Sequence, residues 1–347
     1  MKPTLYGLTF KEAEELIVSL SEQKFRAKQL LDWIYQKNIP DLKQAKNLPP
    51  DFILKLNEQY DLSALNFSEA VDGGGESVKY LFKTRDERLL ESVLIKQRGR
   101  RTVCVSTQLG CKIGCVFCAS GKGKFGRNLT PGEIVEQVAQ IQNHIGNKIT
   151  NIVFMGMGEP LDNFEATMKS LEILQAEWGF GMGGRRITVS TSGITPKIVE
   201  FVERNVGRVR LSISLHSSQE AKRTELVPIN KKYSLKELVA TLNQLNENLK
   251  RKITFEYTLI ADVNDSAEEA EGVAGIAAPI DAMVNIIPYN PIREMEFKTP
   301  AQEKIDMFRR ILEKRGVRVI VRQTAGRGID AACGQLRLDR EGVSDKR

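Results

Sequence analysis

The first sixty residues repeat apolar positions with the period of an α-helix. Thr9 and Glu12 match a capping box just before the apolar positions of a first helix. A second helix is predicted over residues 24–37, and a third follows the two prolines that end at Pro50. A glycine-rich loop comes next, so we expect an N-terminal helical accessory domain over residues 1–72.

The pattern then changes to the two-residue alternation of β-strands. Residues 77–84 and 89–96 are separated by a polar turn and predict a hairpin, within a linker that we place at residues 73–96. From Arg101 onwards, strand-like segments alternate with helical ones. The strand candidates are residues 102–106, 151–156, 187–191, 210–215, 253–259, 283–288 and 317–322. Helix starts are predicted near Thr130, Asn163, Thr195, Ser234, Ser266 and Gln302.

Repeated β-α units predict a parallel sheet. Their number suits a barrel or partial barrel, in which functional groups lie at the carboxyl ends of the strands. We therefore predict an α/β protein with a partial β/α barrel over residues 97–327. The helical accessory domain would precede this barrel, and a C-terminal segment at residues 328–347 would follow it.

Composition changes this picture little. Hydrophobic residues make up 41% of the 347 residues, which is enough for an ordinary core. No apolar run approaches the roughly eighteen residues of a membrane span, and the first residues lack the features of a signal peptide. We therefore expect a cytoplasmic protein with no membrane partner. The 51 basic and 44 acidic residues give a net charge of +7, too small an excess to indicate nucleic-acid binding by itself.

Cysteine usage is more informative. Three of the five cysteines, Cys111, Cys115 and Cys118, fall within eight residues, directly after the first predicted barrel strand. A clustered, odd-numbered set argues against a disulfide scaffold and for a metal or redox centre. A structural zinc ion would need a fourth ligand, for which Cys104 or Cys333 is possible. An iron–sulfur cluster can instead be held by three thiolates, which leaves one iron open to a ligand.

The spacing Cys-x3-Cys-x2-Cys in the loop after the first barrel strand resembles the radical S-adenosylmethionine (SAM) superfamily. Further segments resemble the RlmN/Cfr family of RNA adenine methyltransferases, from the helix at residues 24–37 to Leu336. These segments are CVSTQLGCKIGCVFCASG, FGRNLTPGEI, FMGMGEPLDN, ITVSTSG, SISLH, ELVPINKKY, IPYNP and IDAACGQL. The FGRNLT segment and the ESVLI strand are closer to the RlmN members than to the Cfr members.

This resemblance implies a [4Fe-4S] cluster and SAM as cofactors. It also implies methylation of carbon 2 of an adenosine in the peptidyl-transferase region of 23S rRNA, and of the adenosine beside the tRNA anticodon. Carbon 2 is electron-poor and does not attack the methyl group of SAM as an ordinary nucleophile, so a one-electron route is needed. An electron donor of the flavodoxin or ferredoxin type is therefore a further expected partner.

Three residues outside the cluster match catalytic positions of the family. Cys333 would carry the methyl group and become linked to the base, and Glu91 would remove the proton from the substituted carbon. Cys104 would attack the sulfur of Cys333 to release the product, a step that forms a disulfide bond. Taken alone, each residue has a simpler interpretation: a free thiol, an exposed carboxylate and a packed strand residue.

Other positions match SAM contacts of the family and lie where the predicted strands end. They are Gly158, Glu159, Ser190, Ser214, Leu215, His216 and Asn290. Basic residues near the predicted site loops are candidates for phosphate contacts with RNA. They are Lys96, Arg98, Arg100, Arg101, Lys122, Lys124, Arg127, Arg185 and Arg186.

Two alternatives remain at this point. The first is methylation of carbon 8 of the same rRNA adenosine, as in the Cfr members. The second is a non-enzymatic RNA-binding protein with a structural zinc ion. Iron and acid-labile sulfide in the protein would favour the enzyme, whereas zinc alone would favour the second alternative.

Overall fold

A computed structural model of the protein describes residues 2–97, 99–205, 209–246, 252–292, 295–322, 329–330 and 332–336. Its α-helices are α1 (Phe10–Ser19), α2 (Phe25–Leu31), α3 (Pro50–Gln59), α4 (Ala119–Lys122), α5 (Pro131–Ile145), α6 (Phe164–Gln175), α7 (Thr195–Asn205), α8 (Glu220–Leu226), α9 (Leu235–Leu245), α10 (Ala267–Ala277) and α11 (Gln302–Lys314). Its strands are β1 (Leu65–Asp72), β2 (Ser77–Thr84), β3 (Leu89–Gln97), β4 (Arg100–Cys104), β5 (Asn151–Phe154), β6 (Ile187–Thr191), β7 (Arg210–Ser214), β8 (Thr254–Leu259), β9 (Met283–Pro288) and β10 (Arg318–Val321).

The N-terminal region is helical, as predicted. Helix α1 begins at a capping box in which the Thr9 side chain accepts from the backbone of Glu12 and the Glu12 carboxylate accepts from the backbone of Thr9. The predicted second helix is divided: α2 ends at Leu31, and a π-helical turn continues over Asp32–Gln36. The buried side chains of these helices belong to the same core as those of the barrel.

All ten strands form one sheet in which spatial order follows chain order. Strands β1 to β4 are antiparallel, and every pairing from β4 to β10 is parallel. Among the described strands, β1 and β10 are edges, so the sheet curves as a partial barrel and does not close. This arrangement confirms the predicted fold class.

Strand β1 lies inside the region predicted to be helical, and sequence analysis missed it. Its side chains are mostly exposed, and a bulge between Phe67 and Glu69 interrupts the two-residue period. An exposed, bulged edge strand lacks the apolar alternation on which strand prediction depends. The proposed domain boundary at residue 72 stays a prediction.

Parallel pairing gives the barrel two distinct edges. The strand-end edge is formed by the last residues of the parallel strands, such as Cys104 of β4 and Ser214 of β7. The strand-start edge is formed by their first residues, such as Arg100 of β4 and Arg210 of β7. Helices connect the strands on the outside, and α5 begins at the predicted capping box of Thr130. None of the helices in the described ranges is long and apolar enough to cross a membrane.

Candidate active site

The loop that carries Cys111, Cys115 and Cys118, which we call the cysteine loop, begins directly after β4 at the strand-end edge. Gly110 and Gly114 adopt φ values of +80° and +73°, in the left-handed region that glycine tolerates best. The turn closes where the backbone N–H of Gly121 donates to the carbonyl of Cys118 at 3.1 Å. A Cβ atom at Gly121 would lie 2.9 Å from the backbone nitrogen of Cys115, so this close approach requires glycine.

Cys111, Cys115 and Cys118 line one cavity, which we call the cluster cavity. All three are free thiols, and burial raises the pKa of Cys111 to about 12 and also raises the pKa of Cys115 and Cys118. Bound metal supplies the positive charge that converts such thiols to thiolates. Across the described residues, no three His, Cys, Asp or Glu side chains converge on a single metal ion. Each thiolate of a [4Fe-4S] cluster binds a different iron atom, so the cluster does not require that convergence.

The turn after β5 presents Glu159 to the cluster cavity. Gly158 has φ +100°, and a Cβ atom there would lie 2.5 Å from the Cβ atom of Gln108, so only glycine fits. The buried Glu159 carboxylate accepts from the backbone N–H of Ser192 at 2.7 Å and from that of Leu161 at 3.0 Å. Burial raises the pKa of Glu159, while these hydrogen bonds act in the opposite direction. Glu159 is therefore a fixed acceptor in the cavity wall.

His216 connects the end of β7 to the cysteine loop. Its ring packs edge to face on Phe117, with 4.7 Å between ring centroids. Its Nδ1 atom accepts from the backbone N–H of Thr258 at 3.0 Å. Burial, together with the positive charge of the nearby Arg223, lowers the pKa of His216 to about 3. The imidazole is therefore neutral near pH 7, with its proton on Nε2.

The cluster cavity gathers most of the predicted SAM contacts. It is lined by Gly158, Glu159, Ser190, Ser214 and His216 together with the three cysteines. Two predicted contacts lie outside this lining. Leu215 is fully buried beneath it, and Asn290 lines a neighbouring cavity.

The C-terminal segment packs on the cysteine loop. The backbone N–H of Ala119 donates to the carbonyl of Gly334 at 2.7 Å, and the Ser120 hydroxyl donates to the carbonyl of Leu336 at 2.6 Å. The Asn290 amide donates to the carbonyl of Cys333 at 3.3 Å. These contacts hold Cys333 beside the loop, although more than two hundred residues separate them in the chain.

Cys104 and Cys333 are neighbours, as the resemblance implies. Cys104 is buried at the end of β4 against Val93 and Leu336. Burial, with a smaller electrostatic contribution from Cys333, raises the pKa of Cys104 to about 12, although Arg322 acts in the opposite direction. The Arg322 guanidinium donates to the Sγ atom of Cys333 at 3.4 Å. Both cysteines are free thiols, so the predicted disulfide bond is not present in this structure.

Glu91 is buried, contrary to the exposed position expected for a lone strand carboxylate. Its Oε1 atom forms a 3.2 Å ion pair with the Nζ atom of the equally buried Lys79 on β2. Lys79 also donates to the carbonyl of Asp330 in the C-terminal segment at 3.4 Å. Glu91 shares a face of β3 with Val93, the residue that pairs with Cys104 on β4.

The predicted phosphate contacts do not form one surface. Lys122 and Lys124 lie on the cysteine loop, but the side chain of Arg127 pairs with Asp86 and Glu133. Several of the basic residues were expected to flank the site loops, but three arginines lie elsewhere. Arg100, Arg185 and Arg186 lie at the strand-start edge, because they precede or begin their strands. Arg98 lies outside the described residues.

Sequence analysis also missed a buried arginine beneath the site. Arg223 is fully buried and donates to the carbonyls of Ser192, Ser214 and Leu215. It therefore fixes the ends of two neighbouring strands relative to each other. No local pattern around Arg223 distinguishes it from a surface arginine of a helix, so the sequence offered no signal for this role.

Comparisons with known proteins agree with this geometry. A family model described as the Radical SAM superfamily matches residues 105–271. A second, described as the ribosomal RNA large subunit methyltransferase N-terminal domain, matches residues 4–62.

Similar proteins cover nearly the whole chain. A probable dual-specificity RNA methyltransferase RlmN from Clostridium botulinum (strain Alaska E43 / Type E3) is 44% identical over 321 residues, 91% of each chain. The protein of the same description from Streptococcus thermophilus (strain CNRZ 1066) is 40% identical over 97% of this chain and 88% of its own. The crystal structure of a radical SAM methyltransferase from Sphaerobacter thermophilus is 41% identical, with a TM-score of 0.91 over 96% of this chain and 99% of its own. This similarity extends over nearly the whole chain and includes the cysteine loop. The chain therefore belongs to the RlmN family of radical SAM RNA methyltransferases, and its cofactors are a [4Fe-4S] cluster and SAM.

Proposed function

We propose that this protein methylates carbon 2 of an adenosine in the peptidyl-transferase region of 23S rRNA, and of the adenosine beside the tRNA anticodon, through an S-methylated Cys333. The observation that carries the proposal is the position of Cys333. It lines the cluster cavity together with Cys118 and also faces a second cavity that contains Cys104. A residue in this position can take a methyl group on one side and meet a base on the other.

The residues of the cluster cavity have distinct proposed tasks. Cys111, Cys115 and Cys118 would hold the cluster, and Glu159 would accept hydrogen bonds from the ammonium group of SAM. When bound, the cluster and SAM supply an electron and a methyl group. Ser190, Ser214 and the neutral His216 would orient SAM through hydrogen bonds. Gly158, Leu215 and Asn290 would also help to orient SAM, through close contact or through their polar groups. The ring of Phe117 packs against His216 and would restrict the orientation of this imidazole.

The three remaining residues act on the base. The S-methyl group of Cys333 would first lose one hydrogen atom to the 5′-deoxyadenosyl radical that bound SAM supplies. Its methylene carbon would then add to carbon 2, which links the protein to the RNA. Glu91 would remove the proton from carbon 2 as the radical adduct gives one electron back to the cluster, which restores the aromatic base. The adjacent Lys79 would keep the Glu91 carboxylate in place. Cys104 then attacks the sulfur of Cys333, which forms a disulfide bond and releases the methylated base. An external thiol must reduce this disulfide before the next turnover.

The test is mass analysis of nucleosides from RNA treated with anaerobically reconstituted enzyme, SAM and a flavodoxin or ferredoxin reducing system. We expect 2-methyladenosine in 23S rRNA and in tRNA. Formation of 8-methyladenosine would replace carbon 2 by carbon 8 as the target. Modification of rRNA alone would remove tRNA from the proposal. Protein that contains zinc but no iron or sulfide would contradict the enzymatic function as a whole.

A further inference from the structure

The interior of the barrel contains two cavities that meet at Cys333. The cluster cavity opens toward the strand-end edge and contains the three cluster cysteines. The second, which we call the arginine cavity, runs from the strand-start edge inward to Cys104. Cys333 and Arg322 line both cavities, whereas Cys104 lines only the arginine cavity. Cys118 and Gly334 also line both cavities, so the two spaces adjoin and the proposed methyl carrier stands where they meet.

Four exposed arginines line the outer part of the arginine cavity. Arg100 and Arg210 are the first residues of β4 and β7, and Arg185 and Arg186 lie in the turn before β6. Within the described part of the chain, none of the four takes part in an ion pair, although other arginines do. Their positive charges are therefore not balanced by neighbouring carboxylates. Convergent guanidinium groups of this kind are typical of phosphate-binding surfaces.

The two cavities differ in charge. The wall of the cluster cavity includes the carboxyl groups of Glu159 and Glu256 beside its thiols, and among the lysines and arginines that the structure describes, only Arg322 contributes to it. The exposed positive charge therefore lies at the arginine cavity, which favours that cavity for the binding of a polyanion. Between the arginines and Cys104, the arginine cavity presents the polar side chains of Thr102, Asn151 and Thr188. Such side chains suit the polar edges of a base.

We propose that the RNA substrate reaches Cys333 through the arginine cavity, from the strand-start edge, while SAM occupies the cluster cavity. This inference rests on the RNA methylation proposed above. The arginines would bind the phosphates that flank the target adenosine, and the unstacked base would extend inward past Asn151 to Cys333. Methyl group and base would then approach the sulfur from opposite sides, and RNA would not have to displace SAM.

The experiment compares two double variants of cluster-containing protein that each lose two positive charges. Arg100→Gln with Arg210→Gln changes the strand-start edge, and Lys122→Gln with Lys124→Gln changes the cysteine loop at the opposite edge. The affinity for a 23S rRNA fragment from the peptidyl-transferase region is measured over a range of salt concentrations. We expect the arginine variant to bind more weakly, with a log–log salt slope smaller by about 0.7 for each phosphate that the variant no longer neutralises. The lysine variant should retain the slope of the wild-type protein.

Methylation of Cys333 by SAM, measured by peptide mass without RNA, accompanies each binding experiment. The arginine variant should still become methylated, because that reaction takes place in the cluster cavity. If the arginine variant retains the wild-type salt slope and the lysine variant does not, the RNA binds at the strand-end edge. That result would overturn the proposal. Loss of Cys333 methylation in the arginine variant would also overturn it, because the arginines would then serve the fold or the cluster cavity. Neither measurement requires turnover of RNA, so failure of the proposed adenosine methylation would be seen separately.

Discussion

At the scale of single residues, Cys104 gives the clearest test of the chemistry. It is buried against apolar side chains and adjacent to Cys333. If Cys104 releases the product, Cys104→Ala should still methylate Cys333 and bond it to the base, and turnover should stop with RNA attached to the protein. Denaturing gels should then show a protein band of reduced mobility that nuclease treatment removes.

The control is the double variant that also carries Cys333→Ala, which should form no such band because the linking sulfur is absent. If Cys104 only packs in the core, Cys104→Ala should instead cost about 0.5–3 kcal/mol of stability and leave turnover intact. Free methylated RNA at the wild-type rate, with no trapped species, would contradict the resolving role.

The buried pair of Lys79 and Glu91 makes a prediction about stability. Lys79→Met removes the Lys79 cation from the buried Glu91 carboxylate, which should lower the free energy of unfolding by up to about 3–5 kcal/mol, the cost of breaking a buried ion pair. Urea unfolding of the cluster-free protein measures this change. The matched variant that combines Lys79→Met with Glu91→Gln removes both charges and should recover much of the loss. Equal stability of the single variant and the wild type would show that the ion pair does not contribute.

At the scale of elements, the turn after β5 depends on Gly158. Gly158→Ala places a Cβ atom against Gln108 and forces alanine into a φ of +100°. We expect a loss of about 1–3 kcal/mol in stability and weaker equilibrium binding of SAM, because Glu159 moves with the turn. Gly183→Ala is the matched control, since its φ is −61° and no atom lies within 4 Å of the added carbon. If both variants bind SAM with equal affinity, the result would show that Glu159 does not contribute to SAM binding.

Helices and strands could be predicted where the local pattern of apolar residues agrees with the burial of those residues in the fold. Strands β6 and β9 have the predicted bounds, because short apolar runs end at polar or glycine-rich turns. Strand β1 was missed because its position depends on hydrogen bonds to β2 and not on its own apolar content. The positions of the arginines at the strand-start edge were not predicted correctly, for a related reason. The sequence identifies a strand, but which cavity each end faces depends on how the whole sheet curves.

At the scale of the whole molecule, the cysteine loop organises several distant segments. Cys115→Ala should abolish the cluster and all cleavage of SAM, because among the described residues the cluster cavity offers no spare cysteine except Cys333. Iron and sulfide analysis after anaerobic reconstitution measures the result. Gly123→Ala, at a loop position with open space around it, is a control that should retain iron. Wild-type iron content in Cys115→Ala would contradict the assignment.

The resemblance to a known family identified Cys111, Cys115 and Cys118 as the expected cluster ligands, an assignment that stays a prediction. The structure gathers most of the predicted SAM contacts around these cysteines. Residues that act through distant contacts were not predictable. Lys79 reaches Glu91 across the pairing of β2 with β3. Arg322 reaches Cys333 only because the C-terminal segment folds back onto the barrel. Arg223 acts through three backbone carbonyls, for which the sequence has no signature.

Every strand of the sheet is hydrogen-bonded to the strand that precedes it in the chain. A chain that emerges from the ribosome can therefore extend the sheet one strand at a time, without waiting for a partner that has not been synthesised. The antiparallel strands β1 to β4 have the most local pairings and offer an early template. The segment that carries Cys333 comes after β10 and docks on a barrel whose strands are already present. Biosynthesis thus places the proposed methyl carrier last, when the cavities on both of its sides have formed.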